Sequence, residues 1–149
     1  QALDYGIATH ALFEKISWLD DDAPDPISLP PALKKALQQT DVVSLLSRQQ
    51  RNIELLREIP IEGRVNGQWL RGVIDRLHLH RDAAGLLQRI DIIDYKTDQD
   101  DAPDALRTRH AAQFHAYRTL CAKAFGISTK SIHCYLIATH RGAVIEMAE

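Results

Sequence analysis

The sequence predicts an α/β domain in which helices flank a mixed β-sheet. The first observation is a change of apolar period along the chain, from helical spacing to strand alternation and back, which gives the order ααα-βββ-α-ββ. The second is a pair of turn signals that join three strands in direct succession. With 149 residues, 45% hydrophobic and 26% charged, the chain has the composition of a folded domain, which excludes a disordered protein.

Three helices are expected at the start of the chain. Apolar side chains recur at helical spacing across residues 4–19, and Asp4 is a good N-cap for that helix. Residues 30–37 begin with two prolines, which favour the first turn of a short second helix. Thr40 or Asp41 can cap a third helix that carries the valines and leucines after them.

Three antiparallel strands are expected in the middle of the chain. Apolar side chains lie at odd positions across residues 53–64, and the hairpin signal Asn66-Gly67 follows, because both residues tolerate positive φ. Residues 69–80 give the second strand, 82–85 a second turn and 86–95 the third strand. Together they predict a meander.

A long helix and two further strands complete the predicted sheet. Asp104 is expected as the N-cap of a helix that runs to about Phe125 and stops at Gly126, a residue suited to a helix C-terminus. Residues 131–138 alternate in parity and are predicted as a buried strand, which turns into a last strand over residues 143–147.

Cysteine usage and hydropathy narrow the class of protein. Cys121 and Cys134 match no metal-binding spacing, so we expect two reduced thiols in or near the core. An iron–sulfur cluster needs about four cysteine thiolates, which excludes that cofactor within this chain. No apolar run reaches the ~20 residues of a membrane span, so we expect no membrane partner. The composition suits a cytoplasmic protein. Because the chain begins with Gln1 and not Met, we expect a domain excised from a longer protein.

The net charge of −2 disfavours a protein that holds nucleic acid by bulk charge alone. However, two segments that are predicted to be solvated loops, Asp20–Asp25 and Asp98–Asp104, each hold four aspartates and no lysine or arginine. The remainder carries 18 basic and 12 acidic residues, a net charge of +6. The average therefore conceals a basic body with acidic loops.

The candidate functional residues are two carboxylates and a lysine on neighbouring predicted strands. Asp94 and Lys96 share one face of the third predicted strand and Tyr95 the other, an arrangement that on its own also suits a structural ion pair. Asp75 lies in the neighbouring strand, and two adjacent carboxylates repel unless a cation lies between them. Oxygen-rich sites suit Mg²⁺ or Mn²⁺, and a lysine beside such a cation suits attack of water on phosphorus.

These residues resemble the D…(D/E)xK core of the PD-(D/E)XK nuclease superfamily, and further motifs place the chain in its RecB-like branch, typified by the C-terminal nuclease domains of AddA and RecB. The motifs follow the family's order: Tyr5–His10 resembles a G-x-x-x-H helix, Arg57–Ile61 an E-x-P-F strand, Gly72–Arg76 a G-x-I-D-R strand, Asp94–Thr97 a D-Y-K-T strand, and Gln113 with Tyr117 the following helix. Ile61 departs from the pattern, because an aromatic residue is more usual there. The resemblance implies a restriction-endonuclease-like core.

The resemblance also implies roles for individual residues. His10, Asp75 and Asp94 are implied metal ligands, joined by the backbone carbonyl of Tyr95, whose side chain should lie in the core. Lys96 is implied to position and activate the attacking water and to stabilise the phosphate in the transition state. Without the resemblance, a histidine within a helix bundle would be the simpler interpretation of His10.

Three more residues are candidates with open alternatives. Gln113 and Tyr117 are four apart and share a helix face, so the resemblance suggests that they face the active site or the DNA backbone, whereas simple packing on the sheet also fits. Glu58 could bind a second metal through water or orient Lys96; otherwise it is an edge-strand charge.

Other polar residues are expected to be surface features. His78 and His80 share a strand face and could bind zinc, but nothing else supplies ligands, so a surface strand is the preferred interpretation. Every basic residue between Arg48 and Arg89 is arginine, which favours phosphate contacts, although solvated strand faces explain most of them equally well.

The function implied by the resemblance is Mg²⁺-dependent DNA cleavage, with Mn²⁺ able to substitute, by residues 1–149 as one nuclease domain from the C-terminus of a helicase-nuclease. Expected partners are single-stranded DNA or duplex ends, a helicase domain in the same chain and a second helicase-nuclease subunit, in end processing and recombinational repair. Exonuclease action is favoured over endonuclease action. The alternatives are an inactive nuclease-like module that binds DNA or a helicase partner, and a bare metal-binding domain.

Overall fold

Helices and strands follow one another in the predicted order. A computed structural model describes residues 2–99 and 102–149; Gln1, and Asp100 and Asp101 of the second acidic segment, lie outside the described residues. The helices are α1 (Ala2–Glu14), α2 (Pro31–Ala36), α3 (Thr40–Leu45) and α4 (Pro103–Phe125), and the strands are β1 (Ile53–Val65), β2 (Gln68–Arg81), β3 (Leu87–Lys96), β4 (Ile132–Ala138) and β5 (Ala143–Met147). None of the described helices is long and apolar enough to cross a membrane.

The five strands form one mixed sheet in sequence order. β1, β2 and β3 are the predicted antiparallel meander, β4 runs parallel to β3, and β5 returns antiparallel to β4. The β1–β2 turn uses Asn66 and Gly67 at φ of 51° and 79°, the two positive values that a tight hairpin of this hand requires. Gly126 ends α4 in the left-handed conformation, as predicted.

Apolar clusters cover both faces of the sheet. Beneath α4, aliphatic side chains such as Leu77 and Ile92 pack with Phe114 and with both cysteines, which are buried free thiols as predicted. On the opposite face, α1, α2 and α3 contribute Phe13 and other side chains to a second cluster that includes Tyr95. Burial raises the pKa of the Cys121 thiol to about 12 and that of the Cys134 thiol to about 11, which keeps both protonated.

The predicted helix ends needed correction. Asp4 lies inside α1 and is not its N-cap, and α1 ends at Glu14 and not near Leu19. Asp104 lies in the first turn of α4, whose N-cap is Ala102. The early end of α1 has a tertiary cause, because the chain turns there so that the carbonyls of residues 16 and 17 accept hydrogen bonds from the buried Arg76 guanidinium.

The acidic segments are partly structural rather than purely solvated. The Asp20 carboxylate accepts the backbone N–H groups of Arg48 and Gln49 at 3.1 and 2.9 Å, which lowers its pKa. Asp98 is half-buried and bonds Arg109 and His110. The first residue of each acidic segment is thus bonded to the body of the domain.

Candidate metal centre

In both strands of the β1–β2 hairpin, the alternation of side chains between the two faces of the sheet is broken at Glu58 and Asp75, which lie opposite each other. The β1–β2 ladder is interrupted there, and Glu58 adopts a φ of 51°, in the left-handed region that a residue with a side chain rarely occupies. Ile74 and Leu77 are three residues apart in β2, yet both pack in the cluster beneath α4, which strict alternation would forbid. This distortion leaves Asp75 pointing away from α4, and such strain is typical of functional sites.

Asp75 joins three elements of the fold. Its Oδ1 lies 2.7 Å from Nε2 of His10 on α1, and its Oδ2 accepts the backbone N–H of Tyr95 on β3 at 2.8 Å. The residue is 7% exposed. The imidazole and the end of β3 are therefore held against one carboxylate, as the sequence motifs predict for a shared site.

Asp94 and Lys96 begin a chain of polar contacts that leads to α4. The Lys96 Nζ lies 2.6 Å from Oδ2 of Asp94 and donates to Oε1 of Gln113 at 2.7 Å. The Gln113 amide in turn donates to the Tyr117 hydroxyl at 3.2 Å, and that hydroxyl donates to the Val73 carbonyl at 3.1 Å. Gln113 thus positions the lysine, and Tyr117 anchors Gln113 to β2.

The electrostatics of the site disfavour two ionised carboxylates without a cation. Burial, and then the neighbouring Asp75 carboxylate, raise the pKa of Asp94 to about 8 against the opposing effect of Lys96. Burial lowers the pKa of His10, but the attraction of Asp75 outweighs it, and the net pKa is raised. Both shifts are those expected where positive charge is needed between carboxylates.

His10 also contacts an acidic side chain of its own helix, Glu14. Oε1 of Glu14 lies 3.2 Å from Nδ1 of His10, and ligand atoms of His10, Glu14 and Glu58 lie within 4.8 Å of one another. Burial and then Glu14 raise the pKa of Glu58, whose Oε1 is buried without a hydrogen-bond partner among the described residues. An orphaned carboxylate oxygen beside an imidazole fits a divalent cation. The sequence interpretation missed Glu14, although its i,i+4 spacing from His10 places both on one helix face.

The packing of α1 on β3 depends on small and aromatic residues. A Cβ atom on Gly6 would lie 3.1 Å from Oγ1 of Thr97, so the glycine allows α1 to approach the end of β3. The side chain of Tyr95 is 6% exposed and stacks on Phe13 with ring centroids 4.4 Å apart, as expected for a core residue. The backbone of Tyr95 remains beside the carboxylates.

The predicted surface position of His78 is wrong. His78 is 2% exposed, its Nε2 accepts a hydrogen bond from Nε of Arg76 at 2.7 Å, and Trp18 covers it at a centroid distance of 4.6 Å. Burial, and then Arg76, lower its pKa to about 3, so the imidazole is neutral. His80 instead pairs with Asp91 at 2.6 Å. His78 is therefore a polar core residue, whereas His80 is partly buried.

The structure brings all the predicted site residues to one end of the sheet, between α1 and α4: His10, Glu58, Asp75, Asp94, Tyr95, Lys96, Gln113 and Tyr117. Glu58 lies with the α1 residues, while Lys96 is held by Asp94 and Gln113.

Comparison with known proteins agrees with this arrangement. A model of the PD-(D/E)XK nuclease superfamily matches residues 1–143. An ATP-dependent helicase/nuclease subunit from Streptococcus suis (strain 98HAH33) is 36% identical over 78 residues, which are 52% of this chain and 6% of that protein. The chain therefore corresponds to a small part of that relative's length. The family match confirms the resemblance to the PD-(D/E)XK superfamily and the restriction-endonuclease-like core, and this relative supports the RecB-like assignment.

Proposed function

Because the chain belongs to the PD-(D/E)XK nuclease superfamily, we propose that it hydrolyses phosphodiester bonds of DNA with the help of a divalent cation. The observation that carries the proposal is the pair of carboxylates, Asp75 and Asp94, with His10 bonded to one and Lys96 to the other. An ion pair built for stability alone would not place two buried carboxylates so that the pKa of one rises to about 8.

The donor set suits Mg²⁺, with Mn²⁺ as a substitute. The side chains of His10, Asp75 and Asp94 would hold the cation, together with the Tyr95 carbonyl. When bound, the cation supplies Lewis-acid stabilisation of the phosphate charge and lowers the pKa of a water molecule. Lys96 contacts Oδ2 of Asp94, and the carboxylate keeps further lone pairs with which it would bind a cation.

Among the described residues Lys96 contacts two partners, which leaves one of its N–H groups for the reaction. An ammonium group has three N–H donors, and Lys96 directs one of them to Asp94 and another to Gln113. The third can donate to the attacking water or to a phosphate oxygen as negative charge grows there. Gln113 and Tyr117 fix the direction of this donor and act as positioning residues.

The biological setting forms the wider part of the proposal. Similarity to an ATP-dependent helicase/nuclease subunit supports a nuclease domain, residues 1–149, in a longer helicase-nuclease. A helicase domain in the same chain, and a second helicase-nuclease subunit, would then deliver DNA ends to this site for end processing in recombinational repair. Exonuclease action follows from that delivery of ends.

A cleavage assay tests the proposal. End-labelled linear DNA, single-stranded and duplex, and a covalently closed single-stranded circle are incubated with Mg²⁺, Mn²⁺ or EDTA. We expect cation-dependent cleavage of linear DNA, resistance of the circle, and loss of cleavage in Asp94→Asn and Lys96→Ala, while the matched exposed variants Asp104→Asn and Lys130→Ala retain it. Retained activity in either site variant would refute the assignment, and binding without turnover would favour the inactive-module alternative.

A further inference from the structure

The outer half of the β1–β2 hairpin extends beyond the rest of the sheet. Pairing of β2 with β3 covers residues 76–81, whereas pairing with β1 continues from Ile74 out to Gln68. One face of this extension packs against α4, because a Cβ atom added at Gly63 would lie 2.6 Å from Leu120 Cδ2. The opposite face carries the other parity of side chains.

This opposite face is exposed, and we call it the hairpin face; it consists of Pro60, Glu62, Arg64, Trp69, Arg71 and Val73. Trp69 is 58% exposed and Val73 is 47% exposed, which is unusual for large apolar side chains that share one face. Trp69 pairs across the hairpin with Arg64, and Arg71 pairs with Glu62 at a side-chain distance of 3.7 Å. Trp69 therefore has one guanidinium group across the hairpin, on Arg64, and another two residues along its own strand, on Arg71.

The hairpin face is continuous with the candidate metal centre. Val73 lies two residues before Asp75, and Pro60 lies two residues after Glu58, so both strands carry the same face directly to the carboxylates. Trp69 lies six residues before Asp75 in β2, a span of about 20 Å at the usual rise. A stacked nucleic-acid strand covers that distance in about six nucleotides.

We propose that the hairpin face binds single-stranded nucleic acid and guides it to the metal centre, with Trp69 as a base-stacking platform and Arg64 and Arg71 as phosphate contacts. The proposal rests on the proposed nuclease function. Aromatic side chains beside cationic ones are the combination by which proteins hold single strands without reading sequence. Lys123 of α4 adds a further cation at the hairpin tip, where its Nζ donates to the Arg64 carbonyl at 2.9 Å.

Charge distinguishes this occupant from a protein partner. The hairpin face carries two arginines against one glutamate, in a chain whose total charge is −2, so the positive charge is local. Protein interfaces are also enriched in tryptophan and arginine, so it is the local positive charge together with the position beside the carboxylates that favours nucleic acid. A single strand of nucleic acid is also the substrate expected to reach the carboxylates at the inner end of the hairpin face.

The test is the affinity of the chain for a fluorescein-labelled oligothymidylate of about 16 nucleotides, measured by anisotropy in EDTA so that no cleavage occurs. We expect Trp69→Ala to weaken binding about tenfold, the loss of one stacked base, and Trp69→Phe to recover part of it. Leu86→Ala removes a side chain that is 63% exposed in the β2–β3 turn, and it should leave the affinity unchanged. Thermal unfolding verifies that each variant is folded.

Salt dependence and fluorescence separate stacking from charge. Arg71→Ala should reduce the slope of log affinity against log salt by about 0.7, whereas Trp69→Ala should leave that slope unchanged. The oligonucleotide should quench the emission of Trp69, and the 4%-exposed Trp18 supplies the background that remains in Trp69→Ala.

The outcomes distinguish this inference from the proposed function. Equal affinities of Trp69→Ala and the wild-type chain would overturn it, even if the chain cleaves DNA. A tenfold loss in a chain that never cleaves DNA would support the hairpin face while rejecting the nuclease activity.

Discussion

The most demanding prediction concerns the stability of the metal-free chain when Asp94 is replaced by asparagine. Asp94 is 4% exposed, and burial together with Asp75 raises the pKa of its carboxyl to about 8 from an ordinary value of 3.8. Asparagine has nearly the same shape but no proton to lose. The substitution should therefore remove the pH dependence that this one carboxyl imposes on folding.

The sign follows from proton binding in the two states. Because the folded pKa lies above the unfolded one, the native state binds more protons between these values, and stability falls as the pH rises through that window. Each pH unit costs up to about 1.4 kcal/mol. From about pH 5.5 to pH 8, the wild-type chain should lose up to about 3 kcal/mol that Asp94→Asn retains. The contact that the variant loses to Lys96 shifts its whole curve by a constant, so the slope is the diagnostic quantity.

Urea unfolding in EDTA at several pH values between about 5.5 and 8.5 measures this difference. Effects of titrating groups distant from Asp94 cancel when the variant is compared with the wild type at each pH, whereas Asp75 and Lys96, which interact with Asp94, are part of the measured difference. Asp104→Asn, whose side chain is 98% exposed, is the control and should show a flat difference. The free energy of unfolding of Asp94→Asn minus that of the wild type should rise with pH; a value that stays flat or falls would refute the argument that Asp94 is held at an elevated pKa.

Three further predictions concern residues around the centre. Arg76→Met should lower the free energy of unfolding by about 3–5 kcal/mol in urea titrations, because two buried main-chain carbonyls lose their donor; an unchanged value would show that water replaces the guanidinium. Glu14→Ala should weaken Mn²⁺ binding about tenfold in calorimetry by releasing Nδ1 of His10, with Glu14→Gln recovering part; equal loss in both would argue against an acceptor role. Gln113→Ala should lower kcat about tenfold without changing DNA affinity, since it frees Lys96; a change in affinity alone would contradict positioning.

Strand alternation and turn chemistry predicted the sheet almost to the residue. The strand bounds differ from expectation by one residue or so, because a period of two and a paired positive φ at Asn66-Gly67 are local properties. The end of α1, in contrast, is not determined by the local sequence. Ile16 and Leu19 continue the helical spacing, and the backbone leaves the helix anyway to reach a guanidinium sixty residues away. No pattern within that segment contains this information.

The site was predicted to the extent that strand parity and motifs determine it. Asp94 and Lys96 had to share a face, and Asp75 had to lie on the next strand. The positive φ of Glu58 and the phase change at Asp75 carry no sequence signal, because neither residue type favours that conformation. His78 was misplaced for a related reason: a polar strand face is ordinarily solvated, and here helices and Trp18 cover it while Arg76 satisfies the imidazole.

Asp75 and Arg76 show how neighbouring residues of one strand can shape the same site through different contacts. The two residues are adjacent in β2, yet Asp75 binds His10, while the fully buried Arg76 binds the carbonyls of residues 16 and 17. Both contacts act on α1 and the segment just after it, one on each side of Glu14. The position of His10 at the carboxylates therefore depends on a cation that never approaches the chemistry, and for that reason a loss of Arg76 should reduce metal affinity as well as stability.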